Sequence, residues 1–420
     1  MQRYINYLIL LTMVVPSASL AATNPQQLFS TYADRLFQIR VIEKSSQRKS
    51  TIGSGFQISA NGLVATNYHV ISKYVQDPDR YFLQAISSKD KIESVTVEDI
   101  DVVHDLALVR FKAKNRPFLK IRDTKSLRKG DPIYSMGNPL DLGTAVVPGT
   151  YNGFTKQSYY QLIHFTGAIN SGMSGGPVIN NKGEVIGVNV ATAGNQVGFL
   201  ITSDKLLNLL NKYRSNQNNK MDFQKRIHKQ LVANQKKLMG DTLVAKWKTV
   251  KLGDASIVNE LAPFIPCWGD KSRKRKTKKE KYLVVSIQCR QKEQIYINSG
   301  FRTGNIGVQY KWIENISLTP LQFSQLLGNS YSGASMPNRA TETDVTEFSC
   351  HESFIKDPDE RAVFCTRAYR KYPGLYDVIY VSTSINHNDK GLIRHFTLSG
   401  FEQNTAKRFL KRFLEIREWN

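Results

Sequence analysis

The sequence predicts a mainly β protein that becomes α+β in its C-terminal part. Between residues 36 and 202, short apolar strands alternate with Gly, Asn and Pro turns. Pro177 to Val190 carries a hairpin signature, two β-branched runs around Asn180-Asn181-Lys182-Gly183. From Leu243 onward a second strand-rich stretch is interrupted by two helical patterns. With 420 residues and 41% hydrophobic content, the chain is a globular protein too long for one core. The division expected is a signal peptide over 1–21, a β domain over 22–214, a linker helix over 215–240, and an α+β domain with an antiparallel sheet over 241–420.

The N-terminal segment has Arg3, the apolar run Leu8 to Val15, and small residues from Pro16 to Ala21, which predicts cleavage after Ala21 and an exported, periplasmic or secreted protein. The alternative is a membrane anchor, but the run is shorter than the roughly 20 residues that span a bilayer. No Cys follows it to carry a lipid. Leu36 to Ile42 reads as a strand, and Ile52 to Ile58 as a second that ends at the Ala60-Asn61-Gly62 turn. Leu63 to Asn67 then leads into Tyr68-His69-Val70-Ile71, where His69 is either a packed residue or a base. Asp105, at the mouth of the strand Leu106 to Phe111, is placed to accept a hydrogen bond from an imidazole, which favours the base; His104 beside it reads as an exposed loop residue.

Asn170 to Val178 reads Asn-Ser-Gly-Met-Ser-Gly-Gly-Pro-Val. A Ser between glycines can expose its hydroxyl on a tight turn while neighbouring N–H groups converge beside it, the geometry that acyl transfer needs. Ser174 is the nucleophile candidate, and the N–H groups of Gly172 and Ser174 form the candidate oxyanion hole. The same residues satisfy the G-x-S-x-G elbow of α/β-hydrolases, in which a helix follows the Ser and the His lies later in the chain. A hairpin follows here, which argues against the elbow.

His69, Asp105 and Ser174 occur in that order, with room for several strands between them. Order and motifs resemble the chymotrypsin-fold serine proteases, and among these the bacterial HtrA-like group. The resemblance rests on Gly53-Ser54-Gly55-Phe56, Thr66 to Val70, His104 to Val109, Gly137-Asn138-Pro139, Ala168 to Pro177 and Val197 to Ile201, and covers about residues 30–212. It implies a chymotrypsin-like double β-barrel, two six-stranded antiparallel barrels with the site between them. It also implies His69 as general base and acid, Asp105 as its orienting carboxylate and Ser174 as nucleophile, with no cofactor and no metal. Six residues before the nucleophile, Ala168 would lie at the base of the substrate pocket, with Asn189, Val190 and Gly198 in its walls. Their uncharged character predicts cleavage after small or medium apolar residues of protein or peptide substrates. Two departures stand out. Met173 replaces the Asp that pairs with a newly cut N-terminus in trypsin-like zymogens, and nothing after 215 resembles a PDZ module.

Ser203 to Leu210 predicts a helix closing the β domain, and Ser215 to Lys220 a boundary. Met221 to Met239 reads as a basic amphipathic helix with Ile227, Leu231 and Leu238 on one side, packed on the next domain or lying on a membrane surface. Strands are expected at Val244 to Val250, Tyr282 to Ile287, Gln294 to Ile297, Gly307 to Trp312, Val345 to Cys350, Ala362 to Tyr369, Val378 to Thr383 and Leu392 to Leu398. Helices are expected near Pro320 and over Thr405 to Trp419. Cys267, Cys289, Cys350 and Cys365 suggest two disulfides; of three connectivities, Cys267–Cys289 and Cys350–Cys365 close the short loops. Zinc is the alternative, without C-x-x-C or His at ligand spacing to support it. The net charge of +23 lies mainly in 206–420, with 36 basic against 20 acidic residues, compared with 21 against 15 in 22–205. It peaks over 271–279, where seven of nine residues are basic: a solvated loop, or a contact for an anionic surface or other polyanion. No aromatic interleaves that run, so specific nucleic-acid recognition is not expected. Three functions compete: an exported serine endopeptidase, a catalytically inactive protein of the same fold used as a binding module, and a polyanion binder with the barrel as scaffold.

Overall fold

The computed structural model describes residues 25–192, 196–215, 221–271, 281–332, 335–336, 338–356, 359–385, 387–416 and 418–419. The expected signal peptide and all of the basic run beyond Lys271 lie outside these residues. Among the described residues, no helix is long and apolar enough to cross a membrane.

Two β structures make up residues 36–202. In the first, seven strands are hydrogen-bonded in the order Ile92–Ser94, Tyr81–Ser87, Leu36–Glu43, Lys49–Gln57, Leu63–Thr66, Leu106–Arg110 and Thr96–Asp101. A closed barrel of six strands is expected; the strands instead form an open sheet, a half-barrel called the first barrel below, whose two terminal strands, Ile92–Ser94 and Thr96–Asp101, are separated in sequence only by Val95. Val95 is buried, and its N–H donates to the Leu83 carbonyl at 3.4 Å. The second structure is a closed barrel of six strands, Ile163–Thr166, Gly198–Thr202, Val185–Thr192, Pro177–Ile179, Pro132–Gly137 and Ala145–Phe154. Ile133, Ile163, Phe165, Val178, Ile186 and Leu200 fill part of its interior.

Beyond the barrels, the helix Phe223–Val244 buries Ile227, Leu231 and Leu238, the apolar side read from the sequence. Asp222 caps it, accepting from the Lys225 N–H at 3.0 Å. Its upper half joins the core of the first barrel and its lower half the core of the C-terminal sheet. That sheet is antiparallel, in the order Cys267–Lys271, Tyr282–Arg290, Asn305–Asn315, Lys390–Phe401, Tyr376–Ser384, Asp359–Ala368 and Ser349–Lys356. The strand expected over Val244 to Val250 starts later, at Lys248, because the helix runs through Val244. The final helix, Gln403–Leu414, is shorter than expected: Glu418–Trp419 instead pairs with Ala255 and Ser256.

Both disulfides are the pairs favoured by spacing, and each joins directly opposed residues of neighbouring strands. Each also ties an edge strand of the seven-stranded sheet to the strand inside it. Edge strands have one side unpaired, so a covalent tie acts where the ladder is weakest.

Candidate active site

His69 lies in the first turn of the helix Tyr68–Gln76, an element to which the sequence pattern assigns no structure. The first N–H groups of a helix lack intrahelical acceptors. Asp105 supplies one: its Oδ1 accepts the His69 backbone N–H at 2.8 Å, while its Oδ2 lies 2.6 Å from His69 Nδ1. The same carboxylate therefore caps the helix and fixes the imidazole. Asp105 holds a positive φ of 54°, and its carbonyl accepts from Asn67 Nδ2 at 2.8 Å and the Tyr68 N–H at 3.2 Å. Burial pushes the His69 pKa down, but the charge and hydrogen bond of Asp105 outweigh it against a smaller opposing push from Arg302, and the pKa ends raised above 6.5.

Ser174 sits half-buried on the loop between the second barrel's strands, and its hydroxyl has no hydrogen-bond partner among the described residues. The loop is built by glycine. Gly172 and Gly175 have φ of +92° and +84°, and a Cβ on Gly175 would stand 2.3 Å from the Ser54 carbonyl oxygen. The N–H groups of Gly172 and Ser174 donate to no backbone or side-chain acceptor among the described residues, which leaves both available to a substrate oxygen.

The first barrel holds this loop through Ser54, to which the sequence motif assigned no role. Ser54 N–H donates to the Ser174 carbonyl at 2.7 Å, and Ser54 Oγ donates to the Gly172 carbonyl at 2.7 Å while accepting the Asn138 N–H at 2.9 Å. Met173 turns inward, fully buried among Ile133, Ile169 and Leu200. An apolar anchor in the barrel core thus occupies the position where zymogens use an ion pair. A second support comes from Asp141, at the tip of the 138–143 loop. It accepts from Lys49 Nζ at 2.5 Å and Gln38 Nε2 at 2.5 Å, and these hold its carboxyl down at about 2. The adjacent Leu140 N–H reaches the Ser171 carbonyl at 2.8 Å.

The expected pocket residues fall in different settings. Val190 borders a cleft of about 670 Å³ that also reaches His69. Asn189 is fully buried: its Oδ1 accepts from Ser135 Oγ at 2.9 Å, and its Nδ2 donates to the Met136 and Met173 carbonyls at 3.2 and 3.3 Å. Its amide is spent on placing the nucleophile loop, so its contribution to a pocket is indirect. Gly198 packs on Ile169 and Phe165, where a Cβ would meet Ile169 Cδ1 at 2.6 Å. Ala168 is exposed.

His104, read as an exposed loop residue, is instead half-buried, with Nδ1 2.8 Å from Asp101 Oδ2 and its ring edge-on to Tyr160. Of the remaining histidines, His164 lies in the strand Ile163–Thr166 and His228 stacks on Tyr372. No group of three or more metal-ligating side chains occurs among the described residues.

Residues 53–188 match the family model described as trypsin-like peptidase domain. The chain is 31% identical over 174 residues to the human serine protease HTRA3, covering 39% of this chain and 38% of that one. It is 31% identical over 180 residues to a probable periplasmic serine endoprotease, DegP-like, of Pseudomonas putida, covering 42% and 34%. The chain spans a little over a third of the length of these relatives. Among solved structures, the serine endoprotease from Yersinia pestis aligns with a TM-score of 0.41 at 24% identity, over 47% of this chain and 68% of that one. Residues 53–188 are thus similar to trypsin-like peptidase domains, and the chain is similar over about two fifths of its length to HtrA-like serine proteases.

Proposed function

We propose that this domain is a serine endopeptidase acting through His69, Asp105 and Ser174, in an exported protein. The observation that carries the proposal is the two-point bond between Asp105 and His69, which fixes both the backbone and the ring of the base. With Nδ1–H donated to Asp105, the neutral imidazole carries its lone pair on Nε2, the tautomer needed to take the Ser174 proton. Ser174 Oγ then attacks the scissile carbonyl, and the developing oxyanion is met by the Gly172 and Ser174 N–H groups. Imidazolium returns its proton to the leaving amine, and water repeats the sequence on the acyl-enzyme. The contact between nucleophile and base is commonly long without substrate and tightens when substrate binds. Apolar Val190, Phe199 and Ile201 in the cleft wall support a preference for small or medium apolar residues at the cleaved position. A charged side chain packed against these three residues would lose its hydration without an ion partner in contact.

A fluorophosphonate probe tests this directly. The native protein is expected to become labelled at Ser174, and Ser174→Ala to lose both labelling and casein cleavage while keeping its circular dichroism. Labelling elsewhere, or unchanged cleavage by Ser174→Ala, would overturn the triad; a native protein that neither labels nor cleaves would leave the binding-module alternative.

A further inference from the structure

We infer that the cleft beside His69 is a composite subsite, roofed by residues 292–302 of the C-terminal region, that takes an acidic side chain of the peptide substrate on Arg302. The inference rests on the endopeptidase reading for the identity of its ligand.

The roof is a fixed hairpin. Ile295–Tyr296 pairs with Arg302–Thr303, and the Asn298 side chain closes the turn by accepting the Gly300 and Phe301 N–H groups at 3.0 and 2.8 Å. Ile295, Ile297 and Phe301 are buried in the core of the first barrel, so the hairpin is anchored to the domain it covers. The start of the roof is tied to the second barrel, where Glu293 accepts the Tyr159 N–H at 2.7 Å, the Tyr160 N–H at 3.2 Å and the Ser158 hydroxyl.

These contacts determine which charges remain for a ligand. The cleft is bordered by two carboxylates, Asp105 and Glu293, and by three cations, Lys156, Lys292 and Arg302. Both carboxylates are occupied, Asp105 by His69 and Glu293 by the 158–160 segment. Lys292 Nζ lies 3.4 Å from Gln157 Oε1 and over the Trp268 ring. Arg302 and Lys156 are exposed and have no carboxylate partner among the described residues. Arg302 lies over the Tyr296 ring, 5.8 Å from its centroid, and that ring meets the His69 ring edge-on at 5.9 Å. A guanidinium stacked on an aromatic face keeps its planar fork open to a carboxylate. A peptide lying across His69 would therefore bring a neighbouring Glu or Asp side chain onto Arg302.

Binding to the Ser174→Ala protein, which needs no turnover, provides the test. Fluorescein-labelled octapeptides with a central Val and Glu, Gln or Lys placed in turn at each neighbouring position would be followed by anisotropy. At one position Glu is expected to bind about tenfold more tightly than Lys, as for a charge-assisted contact. Arg302→Ala should abolish that difference, Arg302→Glu should invert it, and Arg302→Lys should keep part of it. Equal affinities at every position, no binding at all, or a Glu preference unchanged in Arg302→Ala would overturn the subsite. Fluorophosphonate labelling of the native protein reports separately on the endopeptidase reading. Labelling without a Glu preference sinks the subsite alone; a Glu preference without labelling sinks the peptidase and leaves an acidic-peptide site.

Discussion

His69 stands between two opposed influences, since burial disfavours its charged form and Asp105 favours it, with the carboxylate prevailing. In the proposed mechanism the neutral imidazole is the base, so activity should be lost as pH falls through the His69 pKa. Because that pKa is raised, the acid limb of kcat/KM should have its midpoint above 6.5. Asp105→Asn removes both upward influences and leaves burial, so its residual activity should titrate below 6.5, at a rate lower by about four orders of magnitude. Rate profiles from pH 5 to 9 on a neutral peptide check this; a midpoint unmoved by Asp105→Asn would show that the pair does not set the protonation of His69. The three residues of the proposed triad were legible because each lies in a short motif with its own chemistry. Ser54 and Asp141 were not, since their partners lie about 90 to 120 residues away in sequence and nothing local distinguishes them. Met173 was legible only as a departure; its burial in the barrel core supplies the physical reason for the substitution.

At the scale of elements, alternation and turn chemistry located the strands beginning at Leu36, Leu63 and Leu106, the 177–190 hairpin and most of the C-terminal sheet, but named no strand at Tyr81–Ser87, Thr96–Asp101, Pro132–Gly137 or Ala145–Phe154. They failed where tertiary contacts override local preference. Tyr68 to Gln76 is a helix despite Val70, Ile71 and Val75, because Asp105 caps its start and its apolar face packs in the first barrel. The two disulfides span 22 and 15 residues, and closing loops of this size contributes roughly 3 kcal/mol each in the chain-entropy model. As each bond holds an edge strand, reduction should loosen the sheet from its rims inward. Hydrogen exchange after reduction is expected to accelerate in 267–271 and 349–356, while 36–43 and 185–192 keep their protection. Uniform acceleration across the barrels would contradict this, and so would a titration of four free thiols in the native protein.

The whole molecule is less modular than its sequence suggests. Composition places a boundary near 215, yet the core of the first barrel is completed from beyond it by Ile227 and Leu231 of the connecting helix and by Phe301, Val345, Tyr369 and Leu375. Polar contacts cross the same surface. Tyr68, fully buried next to His69, donates its hydroxyl to the Ile297 carbonyl at 3.1 Å, and Gln76 reaches Tyr372 and Lys371. Such contacts cannot be read from periodicity, which reports that a face is apolar but not what covers it. Removing everything after 215 would expose this apolar surface and leave the Tyr68 hydroxyl without its acceptor, a loss of several kcal/mol against a total stability of about 5 to 15. The full chain should accordingly unfold in one thermal transition by both near-ultraviolet circular dichroism and loss of fluorophosphonate labelling. The fragment 25–215 should label weakly and melt at a lower temperature. If instead the fragment labels and melts as the full chain does, the C-terminal region is a separable module and the shared core contributes little to holding His69 in place.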